Sequence, residues 1–262
     1  MRHSLINKFR TIFNPNPVPD LNLAGLVKYW SINSAGKAVS SVMLTPDEHM
    51  DVVLDFLRTG RNRTPYLLGV LLKPEVLAKK EPVDVIGIKL LPGAFYSLFG
   101  VPAHLFLGKK CLLKSAIGSK AGCFDEVFAL KTLKQRVKRL DSILLNLAKT
   151  KKPIPSVITH ALTDIYASNG RIKVDSMAKA IGWTRYRFTT VFNKWIGANP
   201  RLFCKHLCFM EAVKALDAGH SMEHVIAKFG YSDQAHFIRF FKHRMGWTPR
   251  MRFMPGRYLK PL

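Results

Sequence analysis

The chain has 262 residues, 48% of them hydrophobic, which is ample for a buried core in each of two domains of ordinary size. Its 41 Lys and Arg against 17 Asp and Glu give a formal net charge of +24, far beyond what solubility needs, and double-stranded DNA is the polyanionic partner that this charge suits first. No apolar run approaches the roughly 18 residues of a membrane span, and "MRHSLINKFRTIF" is too broken by polar residues for a secretory leader, so a cytoplasmic, nucleoid-associated location and no membrane partner are expected.

The basic excess is shared along the chain. Residues 1 to 150 carry 22 Lys and Arg against 11 acids, and residues 151 to 262 carry 19 against 6. Cys111, Cys123, Cys204 and Cys208 lack the CxxC pairs of a zinc site, and on a helix His206 points away from Cys204 and Cys208, so free thiols and no metal are expected.

From Leu21 to about Leu113 the apolar residues come in short runs, "DVVLDF", "YLLGVLL", "DVIGIKLL" and "HLFLG", separated by Pro, Gly and polar turns. This texture predicts a mainly antiparallel β domain. "TPDEHMDVVLDFL" suggests a helical turn capped at Thr45, and "PGAFYSLFGVP" a short helix ending at Gly100. His49 beside Asp47, Glu48 and Asp51 has the composition of a metal or acid/base cluster, but such a group on a helix or strand end reads first as a solvated face. "GKKCLLKS" lacks the GK[ST] end of a phosphate loop, and GxGxxG and GxSxG are absent, so neither a catalytic residue nor a cofactor is expected.

After Gly122 the texture is helical. Leu130, Leu133, Val137, Leu140, Leu144 and Leu147 follow one another at spacings of three and four, with Lys131, Lys134, Arg136, Lys138 and Arg139 on the other faces. Such a seam either packs on the chain's own β domain or pairs with a second copy through Leu133, Val137, Leu140 and Leu144 to make a homodimer. "KTKKPIPS" breaks the helix with two prolines, which divides the chain into 1–152 and 153–262.

The second part contains a near repeat. "GWTRYRFTTVFNKWIGANP", residues 182–200, is echoed by "GYSDQAHFIRFFKHRMGWTP", residues 230–249. Met177, Ala178, Ile181, Gly182 and Trp183 match Val225, Ile226, Phe229, Gly230 and Tyr231 at an offset of 48; Phe188, Phe192, Gly197 and Pro200 match Phe237, Phe241, Gly246 and Pro249 at 49. Each copy reads as an apolar helix, a glycine turn, a second helix with aromatics at i and i+4, and a glycine stop, the layout of a helix-turn-helix at about 174–197 and 222–246. The aromatic pairs are expected in the core. The outward faces then carry Arg185, Tyr186, Thr189, Thr190 and Lys194 in one copy and Gln234, His236, Arg239, Lys242 and Arg244 in the other. Pro200 opens a linking helix that runs to about Leu216, and "PSVITHALTDIYASNG" supplies an earlier helix capped near Ser156. The whole is an α+β chain, with a β domain in front of an all-α domain of two helix-turn-helix motifs joined by a linker helix.

On these residues the segment from about Ile158 to Phe253 resembles the DNA-binding domain of the AraC/XylS family of bacterial transcription regulators, and residues 230–249 are similar to its signature throughout. The resemblance implies base-reading side chains at Tyr186, Thr189 and Thr190 in the first copy and at Gln234, Ala235, Ile238 and Arg239 in the second. It also implies a regulator that engages RNA polymerase, an activator before a repressor, though the residues themselves leave both open. Three residues depart from the pattern: Thr190 stands where arginine is frequent, Ile226 replaces a small residue at the helix crossing, and "PRMRF" lacks the usual ending. The front domain is more loosely similar to the sensory or dimerising domains of some such regulators, often cupin-like, although the HxH pair of a cupin metal is missing and a small-molecule effector stays unknown.

The chemistry at these positions differs between the copies. Arg239 suits the O6 and N7 of guanine and Gln234 the N6 and N7 of adenine, whereas Tyr186 and the two threonines suit methyl and phosphate contacts. Arg185, Arg187 and Lys194 suit the phosphate backbone, and Lys242 on the outward face of the second copy joins the DNA-binding set. The alternative to a sequence-specific regulator is a non-specific architectural DNA binder, which the net charge favours.

Overall fold

Side chains along β1 (Val27–Asn33) alternate between two buried faces, Val27 and Tyr29 to one and Trp30 and Ile32 to the other, in a computed structural model that describes residues 17–39, 42–60, 63–249 and 258–259. β1 pairs antiparallel with β6 (Asp84–Leu90), β6 with β3 (Met50–Asp55), β3 with β4 (Tyr66–Leu68), and β4 with β7 (Lys110–Leu112). A smaller sheet sets β2 (Val42–Leu44) antiparallel to β5 (Glu75–Ala78) and parallel to β8 (Tyr258–Leu259), so the end of the chain returns to the front domain. The mainly antiparallel β domain is as expected.

The large sheet is covered twice. One face shares an apolar cluster with the small sheet, including Trp30, Leu44, Tyr66, Leu77 and Val85. The space between the sheets is filled: the Trp30 indole occupies the place of a Cβ on Gly87, 1.8 Å from where that atom would stand, and its Nε1 donates to buried Asp51 at 2.6 Å. The other face packs Val52, Ile88 and Leu90 against helices through Phe95, Phe124 and Leu140. Thr45 does not cap a helix, because Met50, Val52 and Leu54 are buried on one face and Val53 on the other, and strand pairing on both edges of β3 satisfies a backbone that burial removes from water.

α1 (Ala94–Phe99) ends at left-handed Gly100, as the sequence predicts. α2 (Leu113–Ile117) leads into 3-10 turns over Gly118–Ala129, and α3 (Leu133–Ala148) opens with a capping box between Thr132 and Gln135. Of the two readings of the leucine seam, the structure agrees with packing on the chain's own β domain. Leu130 lies outside the helix, Leu140 and Leu144 are wholly buried in the chain's own front core, and Leu133 and Val137 pack against that core. Any homodimer therefore uses a surface other than Leu140 and Leu144. Arg136 is also buried, its guanidinium 3.4 Å above the Phe56 ring and its Nη1 donating to both Asp84 carboxylate oxygens at 3.1 and 3.0 Å, which staples α3 to β6.

The acidic turn at 47–49 is not a solvated face. Lys89 Nζ lies 2.5 Å from Asp47 Oδ2, Asp51 is held by Trp30, and Glu48 Oε2 stands 3.8 Å from Nε2 of His206 in the helical domain. His206 itself is 3% exposed, and neither ring nitrogen has a hydrogen-bond partner among the described residues. No group of three His, Cys, Asp or Glu among the described residues is arranged to hold a metal ion. The four cysteines are free thiols, Cys204 buried and the others partly so.

Candidate nucleic-acid interface

The helical domain begins with α4 (Ser156–Ala167), in which Ser156 is the first helical residue after Pro155 and makes no side-chain cap. The first motif is α5 (Val174–Ala180) and α6 (Arg185–Ile196); the second is α8 (Met222–Phe229) and α9 (Gln234–Met245). Gly182 at φ +68 and Gly230 at φ +73 make the two turns, a backbone conformation that costs a side chain strain and costs glycine none. Each second helix then starts with a matching cap: Thr184 Oγ1 accepts from Arg187 N at 3.2 Å and Asp233 Oδ1 from His236 N at 2.6 Å. The bond from His236 N holds the Asp233 carboxyl below its ordinary range.

Burial of the aromatic pairs decides which face is left. Phe188 and Phe192 in α6 and Phe237 and Phe241 in α9 are wholly buried, so the positions diametrically across each helix are Thr190 and Tyr186, and Arg239 and Ala235. All four are exposed, Tyr186 to 82%. Gln234 and Lys242 are exposed beside them, and Thr189 and Ile238 are half-buried at the flank. Ile226 packs at the edge of the second copy's core. One sequence assignment fails. Arg244 is 5% exposed, because the offset of 49 sets it at the core position that Trp195 fills in the first copy, and it lies 5.8 Å from the Phe240 ring centroid.

The remaining cations of the first copy have neighbours of their own. Arg185 Nη1 is 3.2 Å from Asp175 Oδ2, and the Arg187 guanidinium stacks 4.3 Å above the Trp183 ring. Lys194 does not stand with them: its Nζ is 5.1 Å from the ring centroid of Tyr96 in the front domain. Hydrogen bonding to Lys194 holds the Tyr96 phenol below its ordinary range. The residues 250–253 that end the family signature lie outside the described residues.

α7 (Pro200–Asp217) joins the motifs, with Asn199 Oδ1 accepting from Leu202 N at 2.8 Å and Pro200 in the first turn. Phe203 and Leu207 enter the core of the first motif, and Phe209, Met210 and Val213 that of the second. A single 18-residue helix thus fixes the distance and angle between the two reading helices.

Sequence reasoning missed the joint between the domains. Tyr96 belongs to the same apolar cluster as Phe188, Phe192 and Trp195, while Ala198 and Leu202 enter the front core and Met43 packs on the second motif. Gly197 allows the close approach, since a Cβ there would be 3.3 Å from Ala103. No periodicity marks Tyr96, because it lies in a helix of only six residues, all buried.

Residues 177–251 match the family described as a helix-turn-helix domain. Over 82 residues the chain is 28% identical to a probable transcription factor, PqrA, of Proteus vulgaris, a stretch covering 31% of this chain and 67% of that protein. The helical domain is similar to the AraC/XylS family over both motifs. The protein is accordingly a DNA-binding transcription regulator, its matches being to a helix-turn-helix domain and to a probable transcription factor. Residues 16–111 match a domain of unknown function, DUF6597. Two crystal structures of ToxT from Vibrio cholerae align with 86% of this chain and 92% of their own length at 10% identity, with TM-scores of 0.42 and 0.36. Among the described residues no helix is long and apolar enough to cross a membrane.

Proposed function

We propose that this protein is a sequence-specific transcriptional activator of the cytoplasm that reads two adjacent major-groove segments, one with each motif. The observation that carries this reading is the equivalence of the two outward faces: the same wheel positions, 49 residues apart, are exposed on α6 and α9 behind matching phenylalanine pairs. α9 reads directly, Arg239 with guanine and Gln234 with adenine, while Ala235 and Ile238 meet thymine methyls. α6 contributes Tyr186, Thr189 and Thr190, and Arg185, Arg187 and Lys242 neutralise phosphates and set register. Lys194, exposed beside Tyr96, is a further phosphate contact. RNA polymerase as the partner in activation is carried by the family resemblance alone.

Footprinting with excess competitor DNA tests the reading. A protected site that survives competitor supports it. Protection that fades in proportion to competitor supports an architectural, sequence-blind binder, the reading that the net charge of +24 favours.

A further inference from the structure

Two lysines from different parts of the chain meet at one phenol. Lys152, between α3 and α4, holds its Nζ 5.0 Å from the ring centroid of Tyr96, and Lys194, in the last turn of α6, holds its own 5.1 Å from the same centroid. The ring is buried against Trp195, and its hydroxyl takes hydrogen bonds from Lys194 and from Lys152. Both lysines are exposed, and neither forms an ion pair among the described residues.

The fold brings Lys152 to this place deliberately. Lys152 N donates to Ser97 O at 2.9 Å and Ser97 Oγ donates to Lys152 O at 2.5 Å, which pins the crossing between the domains to α1. From there the side chain runs over Gly100, where an added Cβ would stand 3.7 Å from its Cε and Nζ. Two like charges gathered at one hydroxyl, with no acid paired to either, leave a positive spot that suits an anion from outside the chain.

Helix geometry says which anion. At about 100° per residue, Lys194 lies roughly 40° from the outward direction marked by Thr190 and about 6 Å further along α6, and Arg187 lies roughly 60° from it on the same side. A helix in the major groove has a phosphate backbone along each flank, so this side of α6 faces one wall of the groove. Arg187 and Lys194 follow that wall, and Lys152 with Tyr96 continues it at the end of the helix.

We infer that Lys152 and Lys194 together grip a backbone phosphate of the DNA at the edge of the first motif's half-site, with the Tyr96 hydroxyl holding the two ammonium groups in position. The inference rests on the reading proposed above, in which α6 lies in the major groove. It brings the front domain into the DNA interface, where the clamp adds affinity and register but no base preference.

The test takes the full chain, a duplex carrying the selected site and a scrambled duplex of the same length, and measures affinity for each over a range of salt concentrations. Lys152→Gln should weaken both duplexes by a similar factor, at least about threefold at low salt, and should reduce the slope of log affinity against log salt by about 0.9, the share of one phosphate contact. Lys152→Arg should restore the slope. Because Lys152 is exposed, near-ultraviolet circular dichroism of both variants should match the parent. The scrambled duplex separates this inference from the reading of bases: loss of base preference would leave the slope change on that duplex in place, and failure of the clamp would leave base preference in place. An unchanged slope in Lys152→Gln overturns the inference whether or not affinity falls, since a lysine that only braces Tyr96 against α6 could lower affinity without releasing a counterion.

Discussion

Trp195, in the last turn of the first reading helix, stands edge-on to Tyr96 of the front domain, with ring centroids 4.6 Å apart and planes at 79°. Each side chain is 7% exposed, so the pair ties a reader to the sheet domain through a contact that water does not reach. Trp195→Ala should cost about 3 to 5 kcal/mol. A double-mutant cycle with Tyr96→Ala should return a coupling of about 0.5 to 1.5 kcal/mol for the ring pair itself. Thermal or urea unfolding of the four proteins measures both, and additive effects would show that the rings do not act together.

His206 should make stability depend on acid. Burial, and secondarily the nearby charge of Arg244, push its imidazole down to about 4, while Glu48 and Asp47 oppose that shift and His49 reinforces it. The folded state therefore holds the proton less well than the unfolded chain. Stability from this group is full above the unfolded value of about 6.5 and is lost as pH falls from there toward 4, by of order 3 kcal/mol in total. Urea midpoints between pH 7 and 4 should fall, and His206→Phe should flatten that slope. A slope that survives the substitution assigns the acid sensitivity to the carboxylates instead.

Leu140→Lys with Leu144→Lys should unfold the front domain rather than release a folded monomer, because both side chains are wholly buried in its core. Circular dichroism and sedimentation of the double variant distinguish the outcomes. A folded, monomeric variant from a dimeric parent would restore the seam as a subunit contact.

Thr190 and Arg239 occupy the same wheel position in the two copies, 49 residues apart. Arg239→Ala should cost roughly 1 to 3 kcal/mol at the specific site and relax preference at one base pair. Thr190→Arg should do the reverse and add a guanine preference on the other side of the site. Binding-site selection with each variant reads both changes, and an unaltered consensus in either removes that residue from the reading set.

The helical domain was legible because its sequence repeats. Offsets of 48 and 49 locate both turns and both aromatic pairs before any coordinates, and the structure adds the caps at Thr184 and Asp233 and the place of Arg244 in the core position of Trp195. The front domain was legible in kind and less so in detail. Thr45 followed by Pro46 looks like a helix start, but burial of β3 on both faces overrides a local preference worth little against it. The leucine spacing of α3 was real, yet a seam of three and four states only that one face is apolar, and Phe95 and Phe124, distant in sequence, supply what covers it. The joint between the domains left no local pattern, since Tyr96, Glu48 and His206 are brought together only by the tertiary fold.

The central claim is that two motifs held by one rigid helix read one continuous site. The 18 residues of α7 span about 27 Å, short of the roughly 34 Å between successive turns of the major groove, so simultaneous reading calls for DNA bent toward the protein at a cost of about 1 to 6 kcal/mol. Gel shifts with a selected site carrying five extra base pairs between its halves, about half a helical turn, test this most directly. Specific binding should be lost with five inserted base pairs and should not return with ten, because α7 cannot lengthen by a further turn of DNA. Undiminished affinity for the five-base-pair variant would contradict the account and leave a single motif as the reader.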